Sequence, residues 1–350
     1  MESKDKVGRK KKKTALWILL GLFLIIGIVI ALVYIKLGSL NKTVAEFIEK
    51  PDIILETAAD LPPIVGTPAD IDEDYLVPVE TIVEEAIYKQ VPIDESVYNV
   101  LLLGSDVRPD EGGNGRSDSM MLVTIDRKSG GIKITSFMRD TWISIPNKGW
   151  NRINAAYAFG GIGLAINTVN ENFGLDIQNY AVIEFSGLEN VVDNLGGVEV
   201  VLTKKEITII NNANPGNPLP EVAGTYVLDG AQTLTHCRNR KTGDGDFGRT
   251  RRQREVMVSI VSKLKSTMDP IKLTSFLTET LKYVDTNIAP NTIFTLGLEL
   301  LGSKENKLEQ ARVPFDGTWQ YANKGGRSVV TINLSKNKEL LHDFLYQAKE

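Results

Sequence analysis

The sequence predicts an α/β fold, a central mixed sheet covered by helices, preceded by a single N-terminal transmembrane helix. After residue 98, short apolar runs typical of strands alternate irregularly with longer helical segments, and no internal repeat is present. The membrane helix is predicted by Ala15–Ile35, a stretch without a charge that is long enough to span a bilayer core of about 30 Å. A cleaved signal peptide is the alternative, but its apolar core is usually only about 7–15 residues long.

Charge is distributed unevenly along the 350 residues, although 40 Lys and Arg nearly balance 44 Asp and Glu. Residues 1–13 are strongly basic, residues 14–35 are uncharged, and residues 36–97 are acidic and interrupted by proline. A basic flank predicts a cytoplasmic tail followed by a membrane anchor. The acidic segment is then an extracellular stalk, and residues 98–350 are an extracellular globular domain whose motifs fall within 98–265.

The globular domain is predicted to open with three strands. Tyr98–Leu103 is an apolar run that ends at Gly104. Ser119–Asp126 and Ile132–Phe137 follow, and the turn sequence Ser129-Gly130-Gly131 between them is typical of a hairpin.

The remaining elements are bounded by residues that end or cap helices. Gly174 and Gly196-Gly197 each end a helical pattern, Asp229 lies near a helix start, and Asp269-Pro270 separates two helices. The predicted helices are Ile153–Phe173, Gly187–Leu195, Asp229–Cys237, Arg249–Lys265, Ile271–Val284, Asn291–Leu301 and Leu334–Leu345, and the predicted strands are Tyr180–Phe185, Val198–Leu202 and Ala311–Phe315.

Two carboxylates are placed around the first strand connection. Asp106 directly follows the first strand with Arg108 close behind, and Arg116 and Asp118 directly precede the second strand. If the strands are neighbours, both carboxylates reach one edge of the sheet. Two carboxylates without histidine or cysteine suit a hard cation such as Mg²⁺, which binds through one or two carboxylates plus phosphate oxygens. The alternative is that both aspartates are turn and cap residues.

Arginines follow at two further element ends. Arg139 and Asp140 come directly after the third strand, either as a surface ion pair or at the same sheet edge as Asp106. Residues 238–254 then hold six arginines, and arginine favours bidentate binding of phosphate or carboxylate. Nucleic acid is disfavoured because the net charge is −4 and no wider basic surface accompanies the cluster. A compact anion such as pyrophosphate fits best, and its candidate ligands are Arg238, Arg240, Arg249 and Gln253.

Seven strings occur in order over Tyr98–Arg254 and together closely resemble the LytR-CpsA-Psr family of cell-wall polymer ligases. They are LLLGSDVR, GRSDSMMLVTID, ITSFMRDTWISIP, RINAAYAFGG, VVDNLGGVEV, LDGAQTLTHCRNR and DFGRTRRQR. The resemblance implies an α/β/α sandwich with a deep apolar pocket for a polyprenyl chain. It also implies a bacterial, Gram-positive cell membrane, with the catalytic domain outside the cell.

The implied activity is transfer of a wall glycopolymer, such as teichoic acid or capsular polysaccharide, from an undecaprenyl-diphosphate carrier to peptidoglycan. The product is a phosphodiester at the N-acetylmuramic acid C6 hydroxyl. By motif, Asp106 and Asp118 would bind Mg²⁺ or Mn²⁺, and Asp106, Arg139 and Asp140 would be catalytic. The diphosphate would contact Arg108, Arg116, Arg139, Arg238, Arg240, Arg249 and Gln253.

Two other functions remain compatible with these residues. In a lipid-diphosphate phosphatase or pyrophosphatase, water would replace the sugar acceptor at the same site. In a non-catalytic wall-associated regulatory protein, the site would not turn over, although the full set of aspartates and arginines argues against that reading.

Overall fold

The computed structural model describes residues 47–48, 86–105, 117–303 and 308–347. The predicted cytoplasmic tail, the anchor and most of the stalk lie outside these residues, as do Asp106, Arg108 and Arg116. Within the described part of the chain, no helix has the length and apolar character needed to cross a membrane.

The described elements are fourteen strands, eight α-helices and one 3₁₀ helix (Leu281–Tyr283). The strands are β1 (Phe47–Ile48), β2 (Ile87–Tyr88), β3 (Val97–Ser105), β4 (Ser117–Asp126), β5 (Ile132–Phe137), β6 (Trp142–Ile145), β7 (Gly149–Arg152), β8 (Asn179–Glu184), β9 (Val198–Leu202), β10 (Gly224–Leu228), β11 (Val284–Thr286), β12 (Leu308–Val313), β13 (Trp319–Lys324) and β14 (Arg327–Ile332). The helices are α1 (Ala155–Phe173), α2 (Phe185–Asn194), α3 (Lys204–Ala213), α4 (Gly230–Arg238), α5 (Gly245–Thr267), α6 (Pro270–Thr280), α7 (Pro290–Gly302) and α8 (Leu334–Tyr346).

A six-stranded mixed sheet forms the centre of the fold, in the order β11-β8-β3-β4-β5-β12. The pairs β3–β4, β4–β5 and β8–β11 are antiparallel, whereas β3–β8 and β5–β12 are parallel. The predicted central mixed sheet is therefore confirmed. The predicted hairpin is confirmed as well, because β4 and β5 pair antiparallel. Gly130 in the turn between them has a φ of 76°, a conformation that glycine adopts readily.

Alternating side chains along the strands pack against helices on both faces of the sheet. Leu103 on β3 and Leu122 on β4 are fully buried in a cluster that includes Leu164 of α1 and Leu341 of α8. The opposite face carries Met121 of β4, packed in a cluster with residues of α5 and α7. Each fully buried leucine contributes about 1.5–3 kcal/mol relative to an exposed one. The sheet is thus held from both sides, and its strand ends become fixed positions for polar side chains.

Helix α1 occupies the predicted helical segment Ile153–Phe173 from Ala155 onward, but it is interrupted. Gly160 and Gly161 have non-helical dihedral angles, and Gly161 has a φ of 64°. Glycine tolerates this conformation because it has no Cβ. The helix ends at Gly174, whose left-handed conformation confirms the predicted stop.

Several elements differ from the sequence-based prediction. The predicted helix Ile271–Val284 stops at Thr280, because Val284–Thr286 instead pairs with the sheet edge as β11. The predicted strand β9 is present, but it pairs with β10 in a separate two-stranded sheet. Helix α3 and the hairpins β6–β7 and β13–β14 were not predicted.

Candidate active site

A pocket of about 900 Å³ opens beside the ends of β3, β4 and β5. Part of its wall is apolar and comes mainly from α2, α4 and α5. The other part is charged and collects six of the predicted site residues. The apolar lining includes Ile183, Phe185, Leu188, Ile209, Leu234, Val256 and Met257, and the polar lining includes Asp118, Arg139, Arg238, Arg240, Arg249 and Gln253. One cavity therefore combines an apolar wall with an arginine-rich edge.

Asp118 reaches the pocket from an irregularity in the sheet. Gly104 pairs with Ser119 and Ser105 pairs with Ser117, so the register shift leaves Asp118 as an extra residue on β4. Such bulges bend a strand and redirect a side chain, and they are common next to active sites. The two strands are neighbours, as the sequence-based hypothesis of a shared carboxylate site requires, and this pairing brings Asp118 to the pocket.

Arg139 is the centre of the charged edge. Its Nη1 donates to Asp118 Oδ1 at 3.0 Å, and its Nε lies 3.3 Å from Asp246 Oδ2 and 3.6 Å from Asp140 Oδ2. Burial opposes the charge, but the carboxylates of Asp246, Asp140 and Asp118 outweigh it and raise the pKa of Arg139. Arg139 therefore lies at the sheet edge as a fixed cation, which resolves the choice that the sequence left open.

Arg240 and Arg249 contact the same two carboxylates. Arg240 lies 3.6 Å from Asp118 and 3.7 Å from Asp246, and the corresponding distances for Arg249 are 3.5 and 3.2 Å. Burial lowers the pKa of Arg249; Asp246 opposes this effect, while the neighbouring charges of Arg139 and Arg240 add to it. Three guanidinium groups thus crowd around two aspartates, and a bound anion would relieve their mutual repulsion.

Asp246 is a site residue that sequence reasoning missed. It lies in the first turn of α5, three residues before Arg249, and its carboxylate contacts Arg139, Arg240 and Arg249. The signal was present, because an acidic residue at i−3 from an arginine shares a helix face with it. Only the fold shows that two further arginines from other segments meet at this carboxylate.

Arg238 and Gln253 complete the pocket edge. The Arg238 guanidinium carbon lies 4.5 Å from the centre of the Phe185 ring, so the cation stacks where the apolar wall begins. Gln253 Nε2 donates to the backbone carbonyl of Cys237 at 3.5 Å. The pocket lining carries five cations (Arg139, Arg238, Arg240, Lys241 and Arg249) and two carboxylates (Asp118 and Glu184). Even with Asp246, which contacts three of the arginines, a formal charge of +2 is left for an anion.

Asp140 occupies a different position from the other predicted residues. It does not line the pocket, and its carboxylate lies between Arg139 at 3.6 Å and Arg152 at 3.5 Å. Its backbone carbonyl accepts a hydrogen bond from Val330 N–H at 2.9 Å. Asp140 therefore ties Arg139 to the β13–β14 hairpin.

A buried clamp lies behind the charged edge, and sequence reasoning missed it too. Arg252 is fully buried, and its guanidinium contacts Asp244 at 2.9 Å, Glu206 at 3.4 Å and the Asn239 carbonyl at 2.5 Å. Burial raises the pKa of Asp244, but hydrogen bonds from Arg252 and Thr242 outweigh that effect and bring it to about 2. The clamp holds both ends of the segment that carries Arg240.

Gly248 shows how closely the clamp is built. A Cβ at this position would lie 1.8 Å from the carboxylate of Asp244. Only glycine leaves room for the carboxylate against this turn of α5.

Cys237 and His236 precede Arg238 but do not serve as reactive groups. Burial raises the pKa of the Cys237 thiol to about 12, so it stays protonated and is not a thiolate nucleophile. Burial likewise lowers the pKa of His236 to about 4, so its ring is neutral at physiological pH. Both side chains are buried, and Cys237 forms part of the pocket lining.

The LytR_cpsA_psr family model matches residues 78–341, which include the described site. The chain belongs to the LytR_cpsA_psr family. Two curated relatives have similar sequences over most of their length. Regulatory protein MsrR of Staphylococcus aureus (strain COL) is 33% identical over 255 residues, 72% of this chain and 75% of that protein. The polyisoprenyl-teichoic acid–peptidoglycan teichoic acid transferase TagU of Bacillus mycoides is 32% identical over 312 residues, 88% of this chain and 89% of that protein.

A solved family structure has the same fold. TagT (YwtF) of B. subtilis with bound octaprenyl pyrophosphate is 27% identical and superposes with a TM-score of 0.57 over 73% of this chain and 93% of that chain. The ligand of that family member combines an apolar chain with a diphosphate.

Proposed function

We propose that this protein transfers a wall glycopolymer, teichoic acid or a related glycan, from an undecaprenyl-diphosphate carrier to peptidoglycan. The observation that carries the proposal is the pocket of about 900 Å³, in which an apolar wall meets four arginines at one edge. A polyprenyl diphosphate has the same two parts in the same order. TagU is named for this reaction, and TagT binds octaprenyl pyrophosphate.

The donor binds with its lipid along the apolar wall and its diphosphate at the arginines. Phe185 and Leu188 of α2 and Val256 of α5 line the lipid side, and burial of a prenyl chain against such residues contributes about 25 cal/mol per Å². Arg238, stacked on Phe185, marks the point at which lipid ends and diphosphate begins.

The reaction is an in-line displacement at the phosphorus that bears the polymer. The C6 hydroxyl of N-acetylmuramic acid forms the new O–P bond, and the bond from that phosphorus to the bridging oxygen breaks. The lipid monophosphate leaves, and the hydroxyl proton passes to a carboxylate, Asp106 or Asp140. The guanidinium groups of Arg139, Arg240 and Arg249 stabilise the charge that develops on the phosphate oxygens.

The reaction is proposed to use Mg²⁺ or Mn²⁺, and the residues present suit such an ion. All three arginine contacts of Asp118 engage Oδ1, so Oδ2 is the oxygen available to a cation. Asp106, the second proposed ligand, follows Ser105, which pairs with Ser117 beside Asp118. Bound with the diphosphate, the cation would supply further positive charge to its oxygens.

The predicted anchor would place this chemistry at its substrates. A membrane helix at residues 14–35 and an acidic stalk at 36–97 would hold the domain on the outer side of the cytoplasmic membrane. Lipid-linked donor and peptidoglycan are both available there.

Product analysis tests the proposed function. The purified extracellular domain is incubated with a lipid-diphosphate-linked teichoic acid, peptidoglycan and Mg²⁺, and the linkage is analysed after glycan digestion. Polymer joined to a muramic acid through a phosphodiester is the expected product. Release of free phosphate without a new linkage would instead assign the site to hydrolysis.

A further inference from the structure

Three aromatic side chains form a cluster outside the pocket, called here the aromatic platform: Phe247, Trp319 and Tyr321. The ring centres of Phe247 and Trp319 are 4.5 Å apart with the planes 33° from parallel. Tyr321 stands edge-on to Trp319 at 5.2 Å and to Phe247 at 6.4 Å. Tyr321 is 62% exposed, although an aromatic residue in a structural role is normally covered.

The platform is attached to the charged edge of the pocket at two points. Phe247 directly follows Asp246 on α5. Tyr321 pairs across the hairpin with Val330, whose N–H donates to the Asp140 carbonyl at 2.9 Å. The carboxylates of Asp246 and Asp140 both contact Arg139 Nε. Phe247 is therefore the sequence neighbour of one Arg139 partner, and Tyr321 is linked to the other partner through Val330.

The pocket and the platform are separate surfaces. None of the three platform residues lines the pocket, whereas Arg139 does. A lipid-diphosphate donor accounts for the pocket but not for the exposed Tyr321 ring beside the half-buried Trp319 and Phe247. The second substrate of a transfer reaction must approach the same phosphorus from outside the lipid pocket, and the platform is connected through Asp246 and Asp140 to Arg139 at the pocket edge.

The chemistry of the platform suits a chain of pyranose rings. The apolar face of a sugar ring stacks on an aromatic face, and the sugar hydroxyls point outward to polar groups. Such groups border the rings here: the Arg312 guanidinium lies 4.4 Å from the Phe247 ring centre and forms an ion pair with Asp316. A polyol-phosphate polymer offers phosphates and few ring faces, so the glycan of peptidoglycan fits this surface better.

We propose that the aromatic platform is the acceptor subsite, on which the glycan strand of peptidoglycan stacks so that a muramic acid hydroxyl faces Arg139. The inference rests on the proposed transfer reaction and specifies where its second substrate binds. Trp319 and Tyr321 contact the sugar rings, and Phe247, held between Trp319 and Arg312, positions them.

The binding test uses chitohexaose, a soluble chain of β-1,4-linked N-acetylglucosamine, as the probe of the glycan backbone. Tyr321→Ala and Trp319→Ala are each expected to weaken its binding about tenfold, the scale of one aromatic contact. Tyr321→Phe keeps the ring and is expected to bind as the wild type does. Tyr283→Ala, which removes an exposed tyrosine that neither lines the pocket nor belongs to the platform, is the matched control. Equal affinity of all variants, or no binding to the wild type, overturns the proposal.

The transfer assay then separates this proposal from the proposed function. Tyr321→Ala is expected to raise KM for peptidoglycan while KM for the lipid-linked donor and its binding stay unchanged. A rise in the donor KM alone would place the donor polymer on the platform and overturn the acceptor assignment. A wild type that binds chitohexaose at the platform but makes no linkage contradicts the proposed function, not the glycan surface.

Discussion

Two arginines of the same helix, Arg249 and Arg252, are both buried but have different surroundings. Arg249 lies in the pocket edge, where Arg139 and Arg240 approach the same two carboxylates at distances of 3.0 to 3.7 Å. Arg252 lies in the clamp, where among the residues that the structure describes it is the arginine in contact with Glu206, and its Nη2 also donates to a backbone carbonyl at 2.5 Å. The edge has spare positive charge, whereas the clamp has its charges paired.

This difference separates ligand binding from support. Cations that outnumber the carboxylates around them can bind an anion, because the anion supplies the missing negative charge. A cation that has its own carboxylate and carbonyl partners fixes the backbone. Removal of that cation leaves a buried carboxylate unpaired. The following changes test whether the two groups are as distinct as their contacts indicate.

Arg252→Met is expected to have the largest effect, and it should act on stability. Loss of the guanidinium leaves the buried Glu206 carboxylate without a cationic partner, which costs about 3–5 kcal/mol of the free energy of unfolding. Urea denaturation followed by circular dichroism measures this loss. A stability equal to the wild type would show that the clamp does not support the fold.

Arg139→Ala is expected to act on transfer instead. Removal of one group that stabilises phosphate charge lowers the transfer rate roughly 10²–10³-fold, while the unfolding midpoint changes little. Arg127→Ala is the control, because it removes a half-exposed arginine paired with Glu299 away from the pocket. Transfer by Arg139→Ala at the wild-type rate would remove Arg139 from the site.

His236 should make the region beneath the edge sensitive to acid. The unfolded chain binds this proton near pH 6.5, whereas the folded protein binds it only near pH 4, because burial outweighs the attraction of Glu206 and the charges of Arg252 and Arg251 add to the effect. Between these values the unfolded state binds more protons, so stability is full above pH 6.5 and falls toward pH 4.

Thermal unfolding across this pH range measures the His236 effect. His236→Gln is expected to flatten the slope between pH 6.5 and 4, and His342→Gln, which changes the chain's other histidine, is the matched control. An unchanged slope in His236→Gln would assign the acid sensitivity to another group.

Arg251→Ala is expected to have the smallest effect. Arg251 is half exposed, pairs with Glu255 one turn along α5 at 2.6 Å, and makes a longer contact of 3.4 Å with the partly exposed carboxylate of Asp244, which Arg252 holds at 2.9 Å. Such a pair contributes about 0.3–0.5 kcal/mol, so transfer and stability should both stay near the wild type. A large loss of transfer would extend the functional arginines to the exposed face of α5.

Much of the site was predictable because its residues stand at strand and helix ends. Asp118 directly precedes one predicted strand and Arg139 follows another, and six of the predicted site residues line one pocket. Asp246 and Arg252 were missed because their partners are distant in sequence: Arg139 lies 107 positions from Asp246, and Glu206 lies 46 positions from Arg252. The β13–β14 hairpin was missed because four of the six β13 residues are exposed and the two strands lack a sustained apolar alternation.

The sequence by itself determined most of the central strands and helices in their order along the chain, the residue types at the charged edge of the pocket and the family motifs that contain them. Apolar periodicity and glycine stops act locally, so they can be recognised along the chain. Only the tertiary structure decided which arginine faces an anion and which supports the backbone. The same side chain either has its charge paired by nearby carboxylates or retains it for a ligand, according to which segments the fold brings around it.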